Sequence, residues 1–217
     1  MLSFLPMQGT LFDSATLPAY QRYQLGEAIL DYYPSWLEPE RADHYLQALL
    51  QETPWRQDSL NFGGKKVPVP RLQAWYGEPK AKYGYSGLAL NPLPWTPLLS
   101  ALRQELQDTL QHPFNAVLLN YYRDGNDSVS WHSDDESELG PAPVIASLSL
   151  GATRRFELQA KDRARHSPSR QALELTHGSL VVMGPGLQRH WRHQIPKQPG
   201  ITEGRLNLTF RFIHGVA

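Results

Sequence analysis

Cysteine is absent from this 217-residue chain. Its absence excludes disulfides, thiolate metal sites and cysteine nucleophiles, so any metal must be held by nitrogen and oxygen ligands. Excess charge is absent too, since 21 Lys and Arg balance 21 Asp and Glu. Net charge therefore gives no argument for a nucleic-acid partner, which must be argued from local patches. The N-terminal stretch MLSFLPMQGTLFD lacks a basic segment and is broken by Pro6 and Gly9. Neither a signal peptide nor a membrane span is read there, and the expectation is a soluble, cytoplasmic protein, nuclear if the source is eukaryotic. Internal repeats and linkers are also missing.

What is present suits one domain with a short extension. Residues 1–27 show little periodicity and are expected to form an N-terminal arm, leaving 28–217 as a single domain. AILDYYP reads as a strand. LEPERADHYLQALLQET reads as a helix with Pro39 in its first turn, and its apolar stripe runs Leu37, Ala42, Tyr45, Leu46, Leu49 and Leu50. TPLLSALRQELQDTL is a second helix, with Leu98, Leu99, Leu102, Leu106 and Leu110 forming a packing stripe. Short strands then follow: NAVLLNYY, VIASLSLG, RRFELQA, QALELTH, GSLVVMG and RLNLTFRFI. Helices followed by a run of strands predict an α+β chain with a two-sheet core.

Chemistry enters at WHSDDE, where His132 and Asp134 lie two residues apart and so point to one side of an extended backbone. A pair of this kind also occurs as a surface hydrogen bond. As metal ligands they need a third partner, and His193 in HWRHQIPK supplies one 59 residues further on (193 minus 134). Two histidines and a carboxylate on one face leave positions open for a co-substrate and oxygen, the donor set of non-haem Fe(II) oxygenases. In RLNLTFRFI, Leu206, Leu208, Phe210 and Phe212 alternate with Arg205, Asn207, Thr209 and Arg211. The apolar set can face a core while the polar set faces a cavity, with guanidinium forks suited to a dicarboxylate. A solvated edge strand would read similarly. Asn120 and Tyr122 share a face of AVLLNYY and add an amide and a phenol.

In the order N-x-Y, H-x-D, distal His and R-x-N-x-T-x-R, the chain resembles the AlkB-type Fe(II)/2-oxoglutarate dioxygenases, closest to the animal-type homologues that repair alkylated DNA. Blocks PRLQAWYG, YSGLAL, DSVSWHSDDE, IASLSLGATRRFEL, HGSLVVM and RLNLTFR carry the likeness from Pro54 to Ile213. The resemblance implies a double-stranded β-helix, or jelly roll, over about 113–215, with N-terminal helices packed on one sheet and a nucleotide-recognition region over about 54–90. It implies His132, Asp134 and His193 as Fe(II) ligands, and Asn120, Tyr122, Arg205, Asn207, Thr209 and Arg211 as 2-oxoglutarate contacts, with O2 as the second co-substrate. The implied activity is oxidative removal of N-alkyl groups, such as those of 1-methyladenine and 3-methylcytosine, from DNA, releasing formaldehyde, succinate and CO2. The implied partner is alkylated DNA, or RNA by the same chemistry, and the protein is expected to act as a monomer without a membrane.

On the substrate side the resemblance suggests Tyr85 as a ring stacked beneath an extruded base, with Arg71 and Tyr76 adding polar contacts and Asp135 and Glu136 facing an exocyclic amine or a cationic base. Both carboxylates also read as loop surface. SLNFGGKKVPVPR predicts a tight hairpin presenting Phe62 beside Lys65 and Lys66, where the ring either fills the gap left by an extruded base or joins the core. A basic loop, AKDRARHSPSRQ, follows the strand RRFELQA. Two rival readings remain: a mononuclear zinc hydrolase, in which Arg205 and Arg211 have no role, and a binding module that keeps the fold without oxidation.

Overall fold

The computed structural model describes residues 19–81, 83–85, 88–164 and 166–214. Its elements in chain order are strands β1 (Gln21–Leu25) and β2 (Ala28–Tyr33), helix α1 (Pro39–Glu52), then β3 (Ser59–Phe62), β4 (Lys65–Pro68), β5 (Leu72–Gly77), β6 (Tyr83–Tyr85) and β7 (Leu88–Leu90). Helix α2 (Pro97–Leu110) precedes β8 (Ala116–Tyr122), β9 (Val129–His132), β10 (Ile145–Gly151), β11 (Arg154–Ala160), β12 (Arg170–Leu175) and β13 (Ser179–Met183). A short helix α3 (Leu187–His190), β14 (Trp191–Ile195) and β15 (Arg205–Arg211) complete the set. Among the described residues no helix is long and apolar enough to cross a membrane.

Strand alternation sorts these elements into layers. A seven-stranded antiparallel sheet has the order β1-β2-β13-β10-β15-β8-β5, and a four-stranded sheet the order β12-β11-β14-β9. Inward-facing residues of both, including Leu30, Leu118, Phe156, Leu158, Leu173, Leu175, Met183 and Ile195, form one core between the sheets. On the other face of the large sheet, Leu206, Leu208 and Phe210 of β15 pack with Ala42, Tyr45 and Leu49 of α1 and Leu99, Leu102 and Leu106 of α2. This is the two-sheet core that the strand pattern predicts, in the jelly-roll form with helices on one sheet that the resemblance implies. Each of the three α2 leucines is fully buried, so truncating any one to alanine costs about 2–5 kcal/mol. Helix α2 begins where expected because Thr96 accepts a hydrogen bond from the Leu99 N–H at 3.2 Å and Pro97 occupies the first turn.

Two expectations change. The supposed arm over 1–27 ends in a strand, for β1 pairs with β2 through Leu25↔Ala28 and forms the outer edge of the large sheet. Gly26, at φ +68°, makes the tight turn, and the exposed polar residues of QRYQL hide the strand because only Leu25 is buried. Residues 1–18 lie outside the described residues. Helix α1 starts at Pro39, so Leu37 is not part of its stripe, although it is buried at 1% exposure. The hairpin, in contrast, forms as read. Phe62 pairs with Lys65 across Gly63 and Gly64, whose φ values of 55° and 80° suit a two-residue turn.

Candidate metal and co-substrate site

Neighbouring strands of the small sheet bring the two histidines together. His132 on β9 is in register with His193 on β14, and their ring centroids lie 4.2 Å apart. β9 ends at His132, and Asp134 follows in a loop held by its own N–H, which donates to Gln188 Oε1 at 2.9 Å. The ligand atoms of all three residues lie within 4.8 Å of one another. His132 Nδ1 faces the Ser130 carbonyl at 2.8 Å, so this nitrogen carries the proton and Nε2 is left as the donor atom.

Asp134 is divided between two tasks. Its Oδ2 accepts from Arg211 Nη2 at 2.7 Å, while Oδ1 is buried without a hydrogen-bond partner among the described residues and lies 3.7 Å from His132 Nε2. Burial pushes this carboxyl up, but the Arg211 guanidinium and the flanking His132 and His193 outweigh it and hold the group well below the usual carboxylate range. Burial, with His132 close by, pushes His193 down to about 3, so its imidazole is neutral at physiological pH. The neutral His193 imidazole, the His132 Nε2 and one ionised carboxylate with an orphaned buried oxygen fit a divalent metal of the non-haem iron type.

The opposite wall comes from the large sheet. Arg205, Asn207, Thr209 and Arg211 of β15 face the same cavity as Asn120 and Tyr122 of β8. Arg205 is 1% exposed, and its Nη2 donates to Ser149 Oγ at 2.8 Å. Its Nε and Nη1 have no hydrogen-bond partner among the described residues. Burial lowers this guanidinium to about 10, opposed by the charge interaction and side-chain hydrogen bond of Tyr122, whose ring lies 5.2 Å from the guanidinium carbon. A buried cation with two unused donors is a receptor for an anion, and the planar fork fits a carboxylate.

Not every expected contact is open. Asn207 is saturated by Ser147 Oγ (2.8 Å), the Leu148 carbonyl (3.0 Å) and the Thr209 hydroxyl, which donates to Oδ1 at 2.9 Å, so Asn207 and Thr209 brace the wall. Asn120 Oδ1 accepts from Arg71 Nε at 2.8 Å and Gln73 Nε2 at 2.9 Å, which directs the Asn120 amide donors away from them. Arg71 also donates to the Ser128 carbonyl at 3.2 Å and stands between the cavity and the groove outside it.

Tyr76 corrects the sequence reading. Alternation along β5 turns Trp75 into the inter-sheet core and Tyr76 to the helix side, where it packs in the α1–α2 cluster away from the cavity. Asp135 points to the surface, 3.1 Å from Lys161 Nζ, and neither it nor Glu136 lines the cavity. Phe62 and Tyr85 occupy the last positions of β3 and β6, and their side chains lie outside the described residues, as do Lys82 and Arg165.

Sequence reasoning missed Ser147, Ser149, Gln73 and Gln188. The first two were readable, since IASLSLG places them two apart on β10, opposite Thr209 and Asn207 of β15. From His132 a groove of about 420 Å³ leads outward between β9 and the β3–β4 hairpin, lined by Leu60, Val67, Pro68, Val69, Pro70 and Trp131.

The profile of the 2OG-Fe(II) oxygenase superfamily matches residues 30–211. Alpha-ketoglutarate-dependent dioxygenase alkB homolog 3 of Rattus norvegicus is 42% identical over 188 residues, which is 84% of this chain and 63% of that protein. DNA oxidative demethylase ALKBH2 of Homo sapiens is 41% identical over 179 residues, 79% of this chain and 69% of that protein. The chain thus spans just under two thirds of the alkB homolog 3 proteins that it matches. Among solved structures, OsALKBH1 superposes with a TM-score of 0.61 at 17% identity, covering 89% of this chain and 100% of that one, which is a likeness of fold. With a His-Asp-His cluster facing an arginine-walled cavity in this sandwich, and with these similarities spanning most of its length, the chain belongs to the AlkB-type group of the 2OG-Fe(II) oxygenase superfamily.

Proposed function

We propose that this protein is an Fe(II)/2-oxoglutarate-dependent oxidative demethylase acting on N-alkylated bases of DNA, such as 1-methyladenine and 3-methylcytosine. The observation that carries the reading is the pairing, across one cavity, of a three-ligand metal face with the unused donors of buried Arg205. A zinc hydrolase has no use for the second half of that arrangement. The named activity of the ALKBH2 relatives, at 41% identity, supports the choice of DNA.

In this reading His132, Asp134 and His193 hold Fe(II), and Arg205, with Asn120 and Tyr122 beside it, holds the distal carboxylate of 2-oxoglutarate. When bound, iron and 2-oxoglutarate supply the oxidising chemistry: O2 is consumed, 2-oxoglutarate becomes succinate and CO2, and the N-methyl carbon is hydroxylated, after which it leaves as formaldehyde. The protein's own work is positioning. Arg211 keeps Asp134 ionised and oriented, and Asn207 and Thr209 stiffen the wall under Arg205. The apolar groove beside His132 receives the base, and Arg71 stands at the passage between groove and cavity. A DNA substrate fits a cytoplasmic protein, or a nuclear one in a eukaryote, and we propose that it acts as a monomer.

The test is turnover of matched oligonucleotides carrying one methylated base, as DNA and as RNA, with formaldehyde and succinate both measured. Equimolar products that require Fe(II) and 2-oxoglutarate, with DNA preferred, are expected. Succinate release that no methylated strand stimulates would refute the proposal, and a preference for RNA would transfer it to that polymer.

A further inference from the structure

The residue before the first metal ligand faces the other way. Since strand side chains alternate, His132 turns into the cavity and Trp131 to the outer face of β9, the edge strand of the small sheet. Trp131 lines two grooves at once: the groove beside the metal face and a second one, of about 480 Å³, across the outer face of β11, β12 and β14. The indole is therefore the corner where the two grooves meet.

Charge follows the second groove. The Arg192 guanidinium lies over the Trp131 ring, 5.4 Å from its centroid, and is fixed there by two hydrogen bonds to Gln159 Oε1 at 3.1 and 2.6 Å. Arg155 and Arg170 line the groove beyond it, both exposed. Glu157 also lines it, but this carboxylate is engaged by Arg155 at 2.9 Å and by Gln194 at 2.7 Å. An aromatic ring with cations set along a groove is how proteins hold single strands, by stacking a base and tracking phosphates.

We propose that Trp131, Arg192 and Arg170 form a track for the nucleotides flanking the target base in a single strand, running from the metal face round the edge of β9 onto the outer face of the small sheet. The inference rests on the nucleic-acid reading above and adds a subsite to it. A base entering at His132 leaves its neighbour in the strand at Trp131, and the chain continues past the arginines. A duplex keeps its bases paired and cannot offer one to the indole.

The test is fluorescence anisotropy with an unmethylated single strand of about twelve nucleotides, within the range of site sizes for such surfaces, and with the matching duplex. Binding needs no turnover, so a failure of the demethylase reading shows separately, in the product assay. Trp131→Ala is expected to weaken single-strand binding roughly tenfold or more, the scale of one lost base stack. Arg170→Gln, on a strand remote from the metal ligands, tests the track if Trp131→Ala does not fold, and it should reduce the salt slope by about 0.7, the value for one phosphate contact on a single strand. Unchanged affinity in Arg170→Gln and Arg192→Gln, or equal losses on single strand and duplex, would overturn the track.

Discussion

Replacing Arg205 by methionine should make the empty protein more stable and cut its response to 2-oxoglutarate by half or more. Arg205 is 1% exposed, and two of its three side-chain nitrogens have no hydrogen-bond partner among the described residues. Each unsatisfied buried donor costs about 1–3 kcal/mol, more when charged. Methionine removes both penalties but also loses the hydrogen bond to Ser149, worth about 1 kcal/mol, and the ring contact with Tyr122, worth about 2. The balance favours the variant by about 1 kcal/mol, a rise in Tm of roughly 2–4 °C for a chain of this size. Co-substrate works in the opposite direction. At about 100 times its Kd it stabilises the wild type by about 2.7 kcal/mol. Losing a charge-assisted contact of about 1.5–3 kcal/mol raises Kd roughly 10- to 150-fold, which cuts that gain to about 0.3–1.4 kcal/mol at the same concentration. Calorimetric melts of the Mn(II)-loaded protein, with and without 2-oxoglutarate, measure both quantities. A variant that melts well below the wild type and keeps the full ligand-induced shift would show that Arg205 serves the fold and not the co-substrate.

Other outcomes follow from single residues. His132→Ala, Asp134→Ala and His193→Ala should each abolish Fe(II)-dependent turnover and the visible absorption of bound Co(II); retention of both by any one of them removes it from the ligand set. Gln188→Leu, which takes away the acceptor for the Asp134 N–H, should weaken metal binding about 10- to 100-fold in a Co(II) titration, and unchanged affinity would count against a positioning role. Gly125→Ala should destabilise the protein by several kcal/mol in urea unfolding, on the order of the larger overpacking costs, because its Cβ would meet the Gln198 carbonyl oxygen; a wild-type midpoint refutes this. Phe62→Ala, beside the hairpin turn, should lower turnover on a duplex by about 1–3 kcal/mol more than on a single strand, and equal losses would remove the ring from base extrusion.

The legibility of this chain was uneven for physical reasons. β15 was readable as a strand because both its faces are buried against different surroundings, apolar toward the helices and polar toward the cavity, so its alternation is complete, although the same alternation also suited a solvated edge strand. β1 could not, because an edge strand with solvated residues carries almost no period. Tyr76 shows the limit of alternation, which establishes that Trp75 and Tyr76 face opposite ways but not which of them meets the cavity; the register of β5 against β8 decides that. Gln188 left no signal, since its part is a contact with a backbone N–H 54 residues away. The metal ligands were found by spacing and residue type, whereas the division of the Asp134 carboxylate between Arg211 and an open oxygen is a property of three-dimensional packing alone.

The site is split between the two sheets. The His-Asp-His cluster belongs to the small sheet and the loop after β9, and the residues proposed to hold the co-substrate belong to β8 and β15 of the large one, with the Arg211–Asp134 ion pair spanning the gap. A small dicarboxylate lying between metal and arginine is then a cross-brace in the mechanical sense, a strut that fastens one wall of the sandwich to the other. The wall with more to gain from it is the small sheet, whose edge strand β9 holds β14 through an irregular pairing at His132↔His193 and Val129↔Ile195. Amide hydrogen exchange in β9 and β14 should therefore slow on loading far more than in β10 or β13, which lie within the large sheet.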